Sequence, residues 1–255
     1  MTTDPPRLLY GRRRGRRLRQ GRQRLLDDVL PRLSVDLDTL PPRLDALFPR
    51  PVRSVWLEVG FGGGEHLLAQ ATAHPDVGII GCEPFVNGVA RLLSAIEAAE
   101  TPLENIRLYP DDARTLIERL PADSVGRVFV LFPDPWPKSR HHRRRFIAKP
   151  QLDALARVMT PGAELRLATD HPGYLRWMLF HCLAHGAFEW LAREAEDWRR
   201  RPADWPQTRY EEKAIEKGAV CTFLRFRRRA DSERTERAEN GERACDGGPK
   251  CLNNG

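Results

Sequence analysis

The chain has 255 residues, of which 41% are hydrophobic and 30% are charged, and its formal net charge is +7. A chain of this length buries about 70% of its unfolded surface, which excludes a disulfide-dependent miniprotein. The purest apolar run, 128–132, is five residues long, whereas a membrane-spanning helix needs about 20. No apolar segment of the signal-peptide type follows the N-terminal arginines, so we expect a cytoplasmic protein.

The positive charge is concentrated at the N-terminus, where residues 1–24 carry nine arginines and one acidic residue. We interpret this segment as a flexible, arginine-rich arm that binds RNA, because like charges at this density repel one another unless a polyanion lies among them. A coding bias toward arginine is the alternative. Residues 25–229 are predicted to form a single domain, and the polar residues 230–255 a disordered tail.

Taken in chain order, short β-rich runs alternate with amphipathic segments of helical length, a pattern typical of βαβ units on a parallel sheet. The predicted strands are Ser54–Gly60, Val77–Glu83, Asn105–Tyr109, Arg127–Phe132 and Glu164–Thr169. The predicted helices are Glu65–Ala73, Val86–Glu100, Ala113–Leu120, Arg144–Met159 and Gly173–His185. A last run, Ala219–Arg227, alternates like an antiparallel edge strand. The predicted fold class is therefore α/β, with a mostly parallel twisted sheet and helices on both faces.

A glycine-rich turn follows the first predicted strand and includes Gly60 and Gly62. Such a turn lets the backbone approach a bulky ligand without a Cβ in the way. Glu83 ends the second strand 23 residues after Gly60, where a carboxylate can accept hydrogen bonds from the hydroxyls of a ribose. The glycine turn together with Glu83 is compatible with NAD, FAD or S-adenosylmethionine. The alternative is a glycine-rich turn beside a solvated glutamate, with no ligand bound.

Two more carboxylates favour S-adenosylmethionine over the dinucleotides. Glu58 lies in the first strand directly before the turn, where it suits a cationic amino-acid end and would repel a pyrophosphate. Asp112 follows the third strand and can accept a hydrogen bond from an adenine amino group; its neighbour Asp111 is the alternative. No metal site is predicted.

The fourth strand leads directly into a loop in which Asp134 stands between Pro133 and Pro135. Because ligands of open α/β sheets bind at the carboxyl ends of strands, we expect this loop to face the cofactor. The prolines would hold the carboxylate in one place, which suits preorganised catalysis; a rigid solvent-facing turn is the alternative. A basic cluster follows at residues 138–145, next to Trp136. This combination favours contact with a nucleic-acid backbone and a nearby base; a solvated helix face is the alternative.

These motifs resemble, in order and spacing, the bacterial tRNA (guanine-N7)-methyltransferase family. The resemblance runs from about residue 12 to 227 and rests on four segments: Leu57-Glu58-Val59-Gly60-Phe61-Gly62, Phe132-Pro133-Asp134-Pro135-Trp136-Pro137-Lys138, Ala168-Thr169-Asp170 and Thr208-Arg209-Tyr210-Glu211. It implies a Rossmann-like class I methyltransferase that moves a methyl group from S-adenosylmethionine to N7 of guanine 46 in the variable loop of tRNA. Whether the protein is a monomer or a homodimer is left open.

The resemblance also implies roles for single residues. It assigns cofactor contacts to Glu58, Glu83, Asp112 and Asp134, and makes Asp134 the catalytic residue. It assigns tRNA contacts to Lys138, Asp170, Thr208, Arg209, Tyr210 and Glu211. From the basic cluster itself we add Arg143, Arg144 and Arg145 as residues that orient the target guanine.

Methyl transfer to guanine N7 requires mainly that N7 and the methyl carbon are aligned. No base has to remove a proton, because this nitrogen carries a lone pair and no proton at neutral pH. Positive charge moves onto the guanine ring during transfer, and a carboxylate such as Asp134 or Asp170 would stabilise it. Proton acceptance by Asp134 is the less favoured version. Three alternatives stay open: a methyltransferase acting on another nucleic-acid base, an NAD-dependent oxidoreductase, and an RNA-binding protein without catalysis.

Overall fold

The computed structural model describes residues 10–230, so the first nine residues and all but the first residue of the predicted tail lie outside the described residues. Its seven strands are β1 Ser54–Val59, β2 Val77–Cys82, β3 Ile106–Tyr109, β4 Val125–Leu131, β5 Met159–Thr169, β6 Phe188–Trp190 and β7 Thr222–Arg228. Its α-helices are α1 Gln20–Asp28, α2 Leu30–Leu33, α3 Glu65–Ala73, α4 Val86–Glu97, α5 Ala113–Arg119, α6 Lys149–Val158, α7 Pro172–Ala184, α8 Glu196–Arg199 and α9 Arg209–Glu216. Two 3₁₀ helices cover Leu44–Leu47 and Ser139–Arg144.

Within residues 10–230, these seven strands form one sheet with the order β3-β2-β1-β4-β5-β7-β6. The first five are parallel, which confirms the predicted α/β fold. The strand order reverses direction between β1 and β4, and open α/β sheets bind ligands in the crevice outside the strand ends at such a point.

The central strands are buried on both faces, as their continuous apolar runs predict. Along β1, Leu57 packs into one hydrophobic core and Trp56 into the core on the opposite face of the sheet. The buried layers on both faces fix the sheet register, because a one-residue shift would exchange the two cores.

Several parts of the chain differ from the prediction, and strand β5 begins at Met159 rather than at Glu164. Strand β7 is antiparallel as predicted but is not the edge, because β6 pairs along its outer side; β6 has only three residues and leaves little periodicity to detect. Helix α6 begins at Lys149 rather than at Arg144, with Pro150 in its first turn, a position that suits proline because the missing N–H has no helical partner there. Helix α1 begins at Gln20, inside the segment predicted to be a flexible arm.

Within residues 10–230, no helix combines the length and the apolar character that crossing a membrane requires. The same part of the chain contains no group of three or more histidine, cysteine or acidic side chains placed to hold a metal ion.

Candidate active site

The glycine turn adopts a backbone that only glycine takes without strain. Gly60, Gly62 and Gly64 have φ angles of 74°, 57° and 82°, in the left-handed region that a Cβ disfavours. A Cβ at Gly60 or Gly62 would meet no atom within 4 Å. The turn therefore borders open space, as a ligand-binding turn must.

Glu83 closes this turn against the second strand. Its carboxylate accepts hydrogen bonds from the backbone N–H groups of Gly62 at 2.7 Å and Phe85 at 2.9 Å. Burial raises the pKa of Glu83, the two N–H donors lower it, and the nearby Asp134 and Glu58 raise it again. The side chain thus shapes the turn itself, besides offering its remaining lone pairs to a ligand.

Glu58 is buried, with 3% of its surface exposed. Its Oε2 lies 2.7 Å from Nδ1 of His66 on α3. The sequence indicated a carboxylate aimed at a cationic ligand and missed this partner, because the pairing depends on how α3 packs on the sheet.

Asp112 forms the N-cap of α5, where its side chain accepts the backbone N–H of Arg114 at 3.0 Å. The same carboxylate forms an ion pair with the guanidinium of Arg114 at 3.2 Å. Asp111 instead pairs with Arg13 at 3.1 Å. Of the two neighbouring aspartates, Asp112 is the one that lines the cavity described next.

A cavity of about 140 Å³ lies at the carboxyl ends of β1, β2 and β4. Its wall brings together Gly60, Asp112 and Asp134, three of the residues that the sequence assigned to the cofactor. Tyr10 and Gly11 from the N-terminal segment complete the wall, and no sequence pattern had indicated that these residues belong to the site.

Asp134 is held by an unusual loop. Phe132 and Trp136, two residues to either side, have positive φ angles of 50° and 41°, a conformation that costs energy for residues with a Cβ. Within residues 10–230, no donor is hydrogen-bonded to the Asp134 carboxylate, and desolvation raises its pKa. The loop therefore presents an unpaired carboxylate at the mouth of the cavity.

Arg145 does not face a substrate, contrary to the expectation from its charge. It is buried, and its Nε donates a hydrogen bond to the backbone oxygen of Pro135 at 2.8 Å. Its guanidinium also stacks on the rings of Tyr174 and Trp177 at 5.1 and 4.9 Å. A guanidinium suits this position because it combines a planar stacking surface with donors, so Arg145 braces the Asp134 loop from inside.

The neighbouring cations point in other directions. Lys138 and Arg143 are exposed, as tRNA contacts require. The guanidinium of Arg144 lies between the rings of Tyr10 and Trp136, at 4.7 and 4.9 Å from their centroids. Arg144 thereby joins the Asp134 loop to the N-terminal segment.

Residues 10–16, which we name the strap, lie across the start of α4 rather than free in solvent. The Arg13 backbone oxygen accepts the Val86 N–H at 2.9 Å. The side chain of Asn87 accepts the Gly15 N–H at 2.7 Å and donates to the Arg16 oxygen at 2.8 Å. Arg13, one of the arginines of the predicted arm, pairs with Asp111 of the folded domain.

A second arm arginine is also paired, since Arg24 on α1 lies 3.2 Å from Asp28. The two residues are four apart and face each other only because both belong to helix α1. A segment interpreted as a flexible arm does not predict this pair.

The segment predicted to bind tRNA begins α9. Thr208 is its N-cap and accepts the Glu211 N–H at 3.1 Å, while Arg209 is exposed. Glu211 does not fit the tRNA contact that was predicted for it. Its side chain is buried and paired with Arg201 at 3.1 Å. Burial raises the pKa of Glu211 and the Arg201 guanidinium lowers it.

Tyr210 connects this segment with the other predicted tRNA contacts. Its hydroxyl donates to Asp170 at 3.3 Å, and its ring lies 5.2 Å from that of Phe132 at the start of the Asp134 loop. Burial and the Asp170 carboxylate raise the pKa of Tyr210 to about 12. The ring is still half exposed, at 52%, and so offers an aromatic face beside the mouth of the cavity.

The chain is similar to known proteins over most of its length. A family model described as "Putative methyltransferase" matches residues 52–224. A protein from Rhodospirillum rubrum named tRNA (guanine-N(7)-)-methyltransferase is 53% identical over 244 residues, which cover 92% of this chain and 94% of that protein. A protein of the same name from Paramagnetospirillum magneticum is 52% identical, with 87% of this chain and 92% of that protein covered. The carboxylate-lined turn, the Asp134 loop and these relatives agree, and the chain belongs to the tRNA (guanine-N7)-methyltransferase family.

Proposed function

We propose that the protein transfers a methyl group from S-adenosylmethionine to N7 of guanine in tRNA, with position 46 of the variable loop as the expected target. One observation carries the proposal: the glycine turn, Asp112 and the unpaired Asp134 meet at a single cavity. The substrate makes the cytoplasm the expected compartment. The names of the relatives support the same activity.

The residues present fit S-adenosylmethionine better than a dinucleotide. Glu83 can hold ribose hydroxyls, Asp112 can accept from the adenine amino group, and Glu58 suits an ammonium group. Three carboxylates around one turn would repel the pyrophosphate of NAD. When bound, the cofactor supplies an electrophilic methyl group on a sulfonium.

The protein's own contribution to this reaction is alignment and charge. Holding N7 and the methyl carbon in line makes the displacement effectively intramolecular, a gain of about 7 to 11 kcal/mol in the best-aligned systems. The guanine ring becomes more positive as the N7–C bond forms and the C–S bond breaks. Asp134 stabilises that charge from a position that the loop holds before substrate arrives; no general base is needed.

Binding of tRNA would use the exposed groups around the cavity mouth. Lys138, Arg143 and Arg209 are exposed there or on the adjoining segments, and cations of this kind neutralise phosphates. The half-exposed ring of Tyr210 offers a stacking surface for a base, and Asp170 already orients its hydroxyl. Arg145 stabilises the Asp134 loop and Glu211 stabilises the start of α9, and neither side chain touches the RNA.

The experiment that tests the function uses a tRNA transcript with S-adenosylmethionine labelled in its methyl group, followed by nucleoside analysis. We expect 7-methylguanosine from the wild-type protein and almost none when 7-deazaguanosine replaces guanosine 46, because this substitution exchanges only N7 for a C–H group that has no lone pair. Label on an exocyclic amine would support the alternative of a methyltransferase for another site on the base. No label on any tRNA would contradict the proposal.

A further inference from the structure

A buried polar chain runs from the first strand to the segment before α9. Glu58, His66 and Gln70 are each no more than 3% exposed. The Glu58 carboxylate lies 2.7 Å from Nδ1 of His66, and Nε2 of His66 lies 3.4 Å from Nε2 of Gln70. The Gln70 amide then donates to the backbone oxygen of Asp204 at 2.8 Å. Apolar residues would fill this space without such a chain, so its polarity requires an explanation.

The direction of donation through the chain follows from its far end. Gln70 uses its NH₂ group for the Asp204 oxygen, so the same group faces Nε2 of His66. Nε2 is therefore the acceptor of the imidazole, and the proton lies on Nδ1. His66 accordingly donates its Nδ1–H to Glu58 and accepts an N–H of Gln70 at Nε2.

The ring of His66 is also fixed in orientation by packing. It lies edge-on against Phe129 of β4, with 4.6 Å between the ring centroids. The residues at both ends of the polar chain are also fixed in place. Glu58 is part of β1, and the Asp204 carboxylate binds Arg166 at 2.7 Å. The donor that reaches Glu58 therefore has one position.

From this geometry we propose that His66 is a positioning residue, which holds Glu58 ready for the ammonium group at the amino-acid end of S-adenosylmethionine. The proposal rests on the proposed function for the identity of that ligand. Without the Nδ1–H donor, a buried Glu58 would lose its partner and its fixed orientation, and buried groups left unpaired are costly.

The test compares two ligands that differ only at the end in question. S-adenosylhomocysteine carries the amino-acid end, and 5′-methylthioadenosine lacks it. Calorimetry should show that His66→Leu weakens S-adenosylhomocysteine binding about tenfold, the size expected when a hydrogen bond to a charged group is removed. Binding of 5′-methylthioadenosine should stay within twofold of the wild type.

A matched pair of polar variants locates the effect at one nitrogen. His66→Asn places an amide donor near the position of Nδ1 and should restore most of the affinity, whereas His66→Gln places it near Nε2 and should not. In a protein that already carries Glu58→Gln, adding His66→Leu should weaken S-adenosylhomocysteine binding little further. If His66→Leu does not fold, the Asn and Gln variants decide the question.

Equal weakening of both ligands, or no difference between the Asn and Gln variants, would overturn the proposal. These measurements need no tRNA. A failure of the proposed function would appear separately, as a wild-type protein that binds S-adenosylhomocysteine and yet methylates no guanine N7.

Discussion

Asp134 stands at the mouth of the cavity without a hydrogen-bond partner in the described part of the chain, in a loop whose neighbours have left-handed backbones. Its charge, rather than its shape, should matter. We expect Asp134→Asn to lower turnover at least ~100-fold, the range for removing a preorganised electrostatic group. Single-turnover methylation with saturating tRNA measures the rate, and thermal unfolding checks that the fold is intact. A folded variant with more than half of the wild-type rate would contradict the assignment.

The pH profile provides the control for this assignment. Desolvation raises the pKa of Asp134, so the active carboxylate becomes protonated at a higher pH than an ordinary aspartate would. The wild-type rate should fall as the pH decreases through that pKa, and should be flat above it. Asp134→Asn should lose the part of this acid limb that Asp134 causes, and only a limb from Glu83, whose pKa burial also raises, should remain.

Glu83 holds the glycine turn and also faces the proposed ribose position. We expect Glu83→Ala to weaken S-adenosylmethionine binding by about 2 kcal/mol, within the span for hydrogen bonds to a charged group. Calorimetry measures the affinity, and Asp76→Ala is a matched control because Asp76 precedes the same strand at its opposite end. Unchanged cofactor affinity in the Glu83 variant would remove this residue from the site.

At the scale of elements, the basic run after the Asp134 loop divides into an inner and an outer part. Arg145 braces Pro135 from inside, while Arg143 is exposed on the 3₁₀ helix. Arg145→Ala should lower both kcat and the melting temperature, because it removes a buried stack and a hydrogen bond. Arg143→Ala should raise KM for tRNA and leave the melting temperature unchanged. Steady-state kinetics and thermal unfolding separate the two, and identical behaviour would contradict the division.

The strap is the second element with a consequence for the site. Tyr10 lines the cavity and stacks on Arg144, and a partly buried cation–π contact contributes about 1 kcal/mol. Tyr10→Ala should therefore weaken S-adenosylmethionine binding about fivefold, measured by calorimetry. Tyr10→Phe keeps the ring and should bind like the wild type. A Tyr10→Ala variant with wild-type affinity would show that the strap is irrelevant to the cofactor.

At the scale of the whole molecule, we expect the arm to have two separable roles, one toward the cofactor site and one toward tRNA. Arg12, Arg14 and Arg17 are exposed, and the strap contacts do not involve their side chains. Replacing all three with alanine should flatten the log–log salt dependence of tRNA binding by about 0.7 to 0.9 for each phosphate that an arginine no longer neutralises. Cofactor affinity should not change. Binding measured between about 50 and 200 mM salt decides the matter, and an unchanged slope would favour coding bias as the origin of these arginines.

The fold and the positions of the site were largely predictable from the sequence, because both depend on short-range patterns. Apolar runs between turn residues located the parallel strands, and helix α3 has the predicted bounds. The turn at Gly60 and the loop at Asp134 both follow strands, and parallel strands place their carboxyl ends at one edge of the sheet. The sequence therefore determined which segments would meet.

Which side chains face the ligand was decided only by the tertiary structure. Arg144 and Arg145 are adjacent and identical in chemistry, yet one closes the cavity and the other is buried behind the loop. Glu58 and His66 are paired because α3 packs on β1, and Tyr10 reaches the site because the strap crosses α4. Local periodicity carries no information about such contacts, since each depends on the direction of a side chain relative to an element distant in sequence or on the other side of a turn.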